Sequence, residues 1–374
     1  MLIQIHMLQN YAPSNLNRDD TGSPKSAYFG GIQRGRISSQ CLKRSIRLSE
    51  TFEEAFKEGG LLATRTKRLP GLIEKALQTL TDDAETITAI VQRVPEIGAE
   101  SGRDKGVVEE DKPLETRQLI FIGANEIGPM AEKLLALYGE KGAKAWETLK
   151  IADITKALGK SKPRSVDVAM FGRMTTSDAF EDVQAAVQVA HALSANAVEQ
   201  EFDYFTAVDD ISGESGAGMI GDVEYNSSTY YKYINVHWEG LVENLGDDPA
   251  VARQAVLALL EAAATAQPSG KQNTFAAHNL PDLILVEVRE KNLPVSYANA
   301  FIKPATQDYK HTLMEDAIAK FNAYMTSIGD AYDLEAMDTR ALMTTLSETT
   351  LPGAEAMPSL SKLQEWLAAQ LSEA

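Results

Sequence analysis

"STYYKYINVHW" (residues 228–238) alternates tyrosines with aliphatic and polar residues and reads as a strand. "DDPAVARQAVLALLEAAATA" (247–266) follows and reads as a helix, with Asp248 as N-cap and Pro249 at the first helical position. "DLILVEV" (282–288) is then a short apolar run with the character of a buried strand. Outward from this unit, "LIQIHMLQ" (2–9) is another buried strand. "SSQCLKRSIRLSETFEEAFKEG" (38–59) reads as one helix, capped by Ser38 or Ser39, with Leu42, Ile46, Phe52 and Phe56 on its apolar face. Residues 70–160 are mostly helical in pattern and are interrupted by the charged segment "GAESGRDKGVVEEDKPLETRQ" (98–118). "VDVAMFGRM" (166–174) is strand-like, and "EDVQAAVQVAHALSANAV" (181–198) reads as a helix. Residues 199–228 are acidic, aromatic and then glycine-rich, as suits a protruding loop or ribbon. Two amphipathic helices are expected over 311–329 and 359–371. Without the insertions the order alternates strand and helix. That order fits a ferredoxin-like split βαβ sheet, and it equally fits an ordinary α/β sheet.

The chain has 374 residues, with 53 Asp and Glu against 36 Lys and Arg, a formal charge of −17. Such acidity argues against indiscriminate nucleic-acid binding through bulk charge, though not against a local site. The single cysteine, Cys41, excludes an intrachain disulfide and a cysteine-rich zinc site, and fits a reducing cytoplasm. The N-terminal sequence lacks the basic and apolar regions of a signal peptide, and no apolar run is long enough to span a membrane.

One window departs from the acidic average. "GSPKSAYFGGIQRGRISSQCLKRSIR" (22–47) contains six Lys and Arg and no acid. If 38–59 is one helix, Lys43, Arg44 and Arg47 lie near its positive end while Glu53, Glu54 and Glu58 lie near its negative end. Both placements oppose the helix dipole, and a bound anion would relieve the first. Lys43 and Arg47 share a face with Gln40 just before them, and Arg34 and Arg36 precede the helix among glycines. A solvated basic face is the competing reading. The spread of charge along a loop and two helical turns favours a polyphosphate backbone over a single phosphate. "KSKPRS" (160–165), "GRMTTSD" (172–178) and "PSGKQNTFAAHN" (268–279) have a related polar, basic character.

Other motifs fail. "GAGMIG" (216–221) matches a dinucleotide fingerprint in letters, but no buried strand precedes it and no helix follows. "SGKQ" (269–272) lacks the remaining residues of a phosphate-binding loop. The five histidines have no metal-ligand spacing, and no catalytic constellation emerges. Asp19 and Asp20 could hold a metal or act as a base, though an Asp-built turn is commoner. A standard RRM's aromatic signature is also absent, so contacts to nucleic acid should be mainly to its backbone.

"NLNRDDTGSPKSAYFGG", "RGRISSQCLKRSIR", "VDVAMFGRMTTSD", "DYFTAVDD", "KQNTFAAHN" and "VSYANAF" resemble, in order, segments of the CasC-type backbone subunit of type I-E CRISPR Cascade complexes. The resemblance runs to about residue 330 and is weakest across 60–160 and at the C-terminus. It implies an α+β fold: an RRM-like (ferredoxin-like) palm over 1–58, 164–198 and 229–374, the last part carrying C-terminal helices. A helical fingers insertion over 59–163 and a thumb over 199–228 complete it. It further implies a cytoplasmic, non-catalytic subunit without cofactor or metal. Copies would assemble head to tail along CRISPR RNA, with thumbs kinking the guide so that it pairs with target DNA. The implied partners are further copies, the large, small and guide-end Cascade subunits, and a recruited helicase–nuclease. The resemblance places Arg18, Lys25, Ser38, Gln40, Lys43, Arg44 and Arg47 on the guide backbone, with Arg173 and Met174 beside it. Lys271, Gln272 and Asn273 match a further RNA-facing loop. Tyr204 and Phe205 match an aromatic pair at the kinked nucleotide, in which relatives commonly have Trp before Phe. Met219 and Ile220 fall towards the thumb's far end. The rival expectations are a metal-dependent ribonuclease of the type III backbone kind, using Asp19, Asp20 or Asp167, and a nucleotide-binding enzyme resting on the two failed glycine motifs.

Overall fold

The computed structural model describes residues 1–97, 114–116, 118–207, 211, 219–334, 338–347 and 349–372. Most of the charged segment 98–118 and the start of "GAGMIG" therefore lie outside the described residues. The fold is mixed α+β with a large sheet. Its strands are β1 Leu2–Ser14, β2 Ser26–Phe29, β3 Ile32–Ile37, β4 Ala63–Thr66, β5 Ile120–Gly123, β6 Val187–Val189, β7 Ala192–Ser194, β8 Glu201–Ala207, β9 Met219–His237, β10 Leu283–Arg289, β11 Asp338–Thr344 and β12 Ala354–Met357. Two compact units contain them: Met1–Phe52 with Gln188–Trp238 and Val256–Ala374, and Glu53–Val187 with Glu239–Ala255.

In the first unit the sheet order is β12-β11-β10-β1-β9-β7-β3-β2, with β6 and β8 also paired to β9. The middle run β10-β1-β9-β7 is antiparallel throughout, and β11–β12 is parallel. Register aligns Asn235, Gln4, Glu287 and Arg340 across four strands. On that face Leu8, Leu285, Tyr297, Phe301, Phe321 and Leu342 form an apolar cluster. Within it His6, Glu287 and Arg340 are buried and joined: Glu287 accepts from Arg340 Nε at 2.7 Å, lies 3.1 Å from His6 Nε2 and accepts from the Tyr297 hydroxyl. Burying ionised groups is tolerated because each has a partner. The helix Leu313–Tyr332 begins with the capping box of Thr312 and Glu315 and turns Ala317, Phe321 and Met325 into this cluster.

The second unit is mainly helical. Leu69–Leu77, Ala84–Val91, Ala124–Lys141 and Ile151–Leu158 pack around Ile73, Ile90, Leu134, Trp146 and Ile154, and β4 pairs with β5. Among the described residues, no helix is long and apolar enough to cross a membrane.

Two expected elements are exchanged. Val166–Phe171, expected as strand, is a helix ended by Gly172 at φ +82°. Val166 through Met170 are all buried, and an apolar run buried on every side carries no periodicity to separate helix from strand. Residues 181–198, expected as helix, instead supply β6 and β7. Val187 and Val189 are buried while Gln188 between them is exposed, which is a period of two. The expected helix over 38–59 is also two helices, α1 Ser39–Arg47 and α2 Glu50–Phe56. Ser49 separates them, its hydroxyl accepting the Phe52 N–H.

Candidate nucleic-acid interface

The break at Ser49 changes the electrostatic argument for the basic helix. Arg44 and Arg47 occupy the last turn of α1, and Glu50 and Glu53 fall at the start of α2. Arg44 and Arg47 now agree with the dipole of α1, although Glu54 still lies in the last turn of α2. The conflict at the basic end, which an anion would have relieved, does not exist, and a phosphate site must be argued from what the side chains surround.

α1 is capped by Ser38, whose hydroxyl accepts the Cys41 N–H. Ser38 is itself buried, and its own N–H donates to Asn17 Oδ1 at 2.8 Å. Leu42 and Ile46 face inward, leaving Gln40 and Arg44 exposed and Lys43 and Arg47 half-buried. Burial pulls the Lys43 ammonium below the usual lysine range, a cost that a nearby anion would offset.

The polar loop before β2 is held against α1. Asn17 O accepts the Lys25 N–H, and Lys25 O accepts the Arg36 N–H. The Asp19 carboxylate accepts from Thr21 N, the Thr21 hydroxyl and Ser23 N. Those bonds, led by the Thr21 hydroxyl, lower its pKa and account for it as a turn-former. Asp167, the other acid suspected of metal chemistry, is buried and accepts the Ala63 and Val168 N–H groups.

The loop 268–279 reaches the same place. Tyr11 and Asn279 hold Gln267: the Tyr11 hydroxyl donates to Gln267 Oε1, and Gln267 Nε2 donates to Asn279 O. Lys271 at φ +51° and Ala276 at φ +49° bracket one helical turn, Gln272–Phe275. Each left-handed residue costs about 1–2 kcal/mol. Asn273 is exposed and Lys271 half-buried, but the Gln272 amide donates to Pro268 O and Ala277 O and closes its own loop. Gly270 lies on the end of β1, where an added Cβ would stand 2.2 Å from Leu16 O and 2.7 Å from Asn15 O. Gly270→Ala must therefore lift the loop, and it is expected to cost about 1–3 kcal/mol of stability. It should also weaken RNA binding several-fold. Urea denaturation alongside an RNA titration checks both effects.

Together these segments bound a cleft of about 690 Å³. Asn17, Arg18 and Asp20 line it from the polar loop, Arg44 and Ser45 from α1, and Gln267, Ser269 and Gly270 from the third segment. Three stretches far apart in the chain thus converge, and two guanidinium groups line their junction together with the carboxyl groups of Asp19 and Asp20. Sequence reasoning missed Asn17 and Gln267, which position the walls. The turn composition around Asn17 was a signal for it; none pointed to Gln267.

Two expected RNA ligands are internal. Arg34 is fully buried, its guanidinium donating to the carbonyls of Ser194, Ala195, Phe301 and Ile302. In the second unit Arg173 pairs with Glu126 at 2.8 Å and donates to Phe121 O, Ser161 O and Glu181 O. Four carbonyls meet the Arg34 guanidinium, leaving Nε without a partner, and Arg173 has a carboxylate besides its carbonyls; buried charges need such partners, so both are structural. Met174, beside Arg173, is 93% exposed. Arg36 remains half-buried, with its Nε on Ser26 O.

β8 and the start of β9 form a two-stranded ribbon. Tyr204 lies opposite Asp222 and Phe205 opposite Gly221, so consecutive side chains point to opposite faces. Phe205 lies on Gly221, where a Cβ would come within 2.6 Å of its ring. It covers a glycine, while Tyr204 is 65% exposed. The expected aromatic pair is thereby divided between the two faces. Met219 and Ile220 are exposed near the ribbon's end, and Gly221 serves the Phe205 contact rather than a dinucleotide.

A family model described as CT1975-like protein matches residues 3–368. One solved structure, described as "CRISPR RNA-guided surveillance complex, pre-nicking", is 32% identical and superimposes with a TM-score of 0.80, covering 99% of this chain and 100% of its own. Another, described as "CRISPR RNA-guided surveillance complex", is 28% identical with a TM-score of 0.71 and covers 100% of both chains. Among curated protein sequences, none matches. With the match extending over nearly the whole chain, the protein belongs to the CT1975-like family of CasC-type, CRISPR-associated subunits.

Proposed function

We propose that the chain is the guide-binding backbone subunit of a type I-E surveillance complex. The observation that carries this reading is the cleft where Arg18, Arg44 and the Ser269–Gly270 loop converge, with Lys25, Lys43 and Arg47 in the same unit. Two guanidinium groups on a cleft, with further cations on the same unit, suit a phosphate backbone and bind it without regard to sequence. The strand order β10-β1-β9-β7 supports reading the sheet as an RRM-like palm, with the 4-1-3-2 order of a split βαβ fold. The β8–β9 ribbon serves as the thumb, and the mainly helical unit as the fingers.

In this reading copies line up head to tail along CRISPR RNA, each holding one backbone segment. Tyr204 on the exposed face of the ribbon separates neighbouring segments, and the bases between kinks pair with target DNA. The other complex subunits and a helicase–nuclease act around this filament. The test is to purify the protein from cells carrying its CRISPR locus and size any RNA that accompanies it. A discrete guide-length RNA, absent from Lys43→Glu/Arg47→Glu, is the expected result. Nucleic-acid-free wild-type protein under those conditions would refute the reading.

A further inference from the structure

His191 lies in the short connection between β6 and β7 and is exposed. Its Nδ1 is 3.3 Å from the backbone nitrogen of Ser39, the first residue of α1. A backbone N–H can only donate, so Nδ1 offers its lone pair and the neutral ring carries its proton on Nε2. Arg36 from β3 and Lys25 from the polar loop are the charged groups facing the ring. Burial first, and then these two cations, hold its pKa below the ordinary histidine range. Arg36 is held through Ser26 O, and the backbone of Lys25 is paired with Asn17 and Arg36.

If position 191 served only to accept the Ser39 N–H, aspartate would do so better. It would favour the helix dipole and would pair with both cations. An imidazole sacrifices that pairing. What it offers instead is an acceptor that becomes a second donor when a negative charge arrives.

We propose that His191 is a further ligand of the RNA backbone, acting with Arg36 and Lys25 on one phosphate group. This rests on the guide-binding reading above. Nε2–H donates to a phosphate oxygen, and the phosphate offsets the repulsion from the two cations. The ring then takes a proton from solvent at Nδ1. The Ser39 N–H is released as Nδ1 changes from acceptor to donor, and it is free to donate to the same anion or to water.

The sign of the pH dependence follows. The free protein's ring has a depressed pKa and the RNA-bound ring a higher one, so binding takes up protons between the two values. RNA affinity then rises as pH falls through that window, by at most about tenfold per pH unit for one group, and is level above it.

The experiment titrates full-length protein, stripped of nucleic acid, with a short fluorescein-labelled single-stranded RNA from about pH 8 to pH 6 at fixed ionic strength. Wild type is expected to tighten roughly fivefold over that range. His191→Gln, whose amide oxygen still accepts the Ser39 N–H, should bind more weakly than wild type at pH 8, having lost the Nε2–H bond to phosphate, and should also lose most of the gain on acidification. Calorimetry near pH 6.5 in buffers of different ionisation enthalpy should show proton uptake for wild type and little for the variant. Lys232, buried and drawn down to about 7, is common to both proteins and cancels. A variant that keeps the wild-type pH dependence, or a wild type that takes up no proton, overturns the assignment. Failure of the guide-binding reading looks different. Wild type would then bind RNA at no pH, Lys43→Glu/Arg47→Glu would change nothing, and the assignment of His191 would fall with it.

Discussion

Arg18→Glu/Arg44→Glu is expected to weaken single-stranded RNA binding by about 100-fold or more, while the protein stays folded. Both guanidinium groups line the cleft, and both residues are exposed, so neither supports the core. A hydrogen bond to a charged group contributes about 1.5–3 kcal/mol, and reversal adds repulsion to the loss of two such contacts. The diagnostic measurement is the salt dependence. Each phosphate contact on a single strand contributes about 0.7 to the slope of log K against log salt, so the double variant's slope should be shallower by about 1.4. The loss should be equal for unrelated RNA sequences, because backbone contacts carry no sequence information. An unchanged slope, or a loss confined to one sequence, would place the RNA elsewhere.

These two arginines also mark the limit of what the sequence reveals. β1, β9 and β10 were legible because long apolar or alternating runs have few other uses, and the helix Pro249–Thr265 carried its own cap, with Val251 N donating to Asp248 Oδ1. The hairpin of β2 and β3 had a signal that went unused. Gly30 and Gly31, both at positive φ, form the two-residue turn that joins them. Ser49, followed by Glu50, likewise marked a second helix start. What sequence could not supply is the direction in which an arginine turns. Arg34 is two residues from Arg36 and chemically equivalent to it, yet its partners lie on Ser194 and Phe301. Only the pairing of β3 with β7 brings the first of those carbonyls within reach. Arg173 is decided in the same way by Glu126. A basic window therefore reports that cations are needed; the carbonyls and carboxylates folded beside it decide which of them remain for a ligand.

The same logic of buried charge sets the largest expected effect on stability. Glu287→Ala removes the acceptor shared by His6, Tyr297 and Arg340, on a strand between β1 and β11. Arg340 keeps Asp338 at 3.1 Å but loses its closest carboxylate, and a half-paired buried charge costs about 3–5 kcal/mol. For a unit of this size that corresponds to a fall in Tm of roughly 10 °C, read by thermal denaturation. Burial alone would raise the Glu287 pKa, but the bonds from His6 and Tyr297 and the charge of Arg340 outweigh it, so the folded-state value lies below the ordinary glutamate range. The carboxylate's contribution is thus complete above its unfolded pKa, about 4.3, and is lost as pH falls from there through the folded value. Glu287→Gln, unable to ionise, should be less stable than wild type at neutral pH, and the gap should narrow on acidification through that window. A constant gap would mean that Glu287 acts by shape alone. RNA binding well below the lowered Tm should keep the wild-type salt slope, because Glu287 faces the apolar cluster and not the cleft lined by Arg18 and Arg44. That separates loss of the scaffold from loss of the groove.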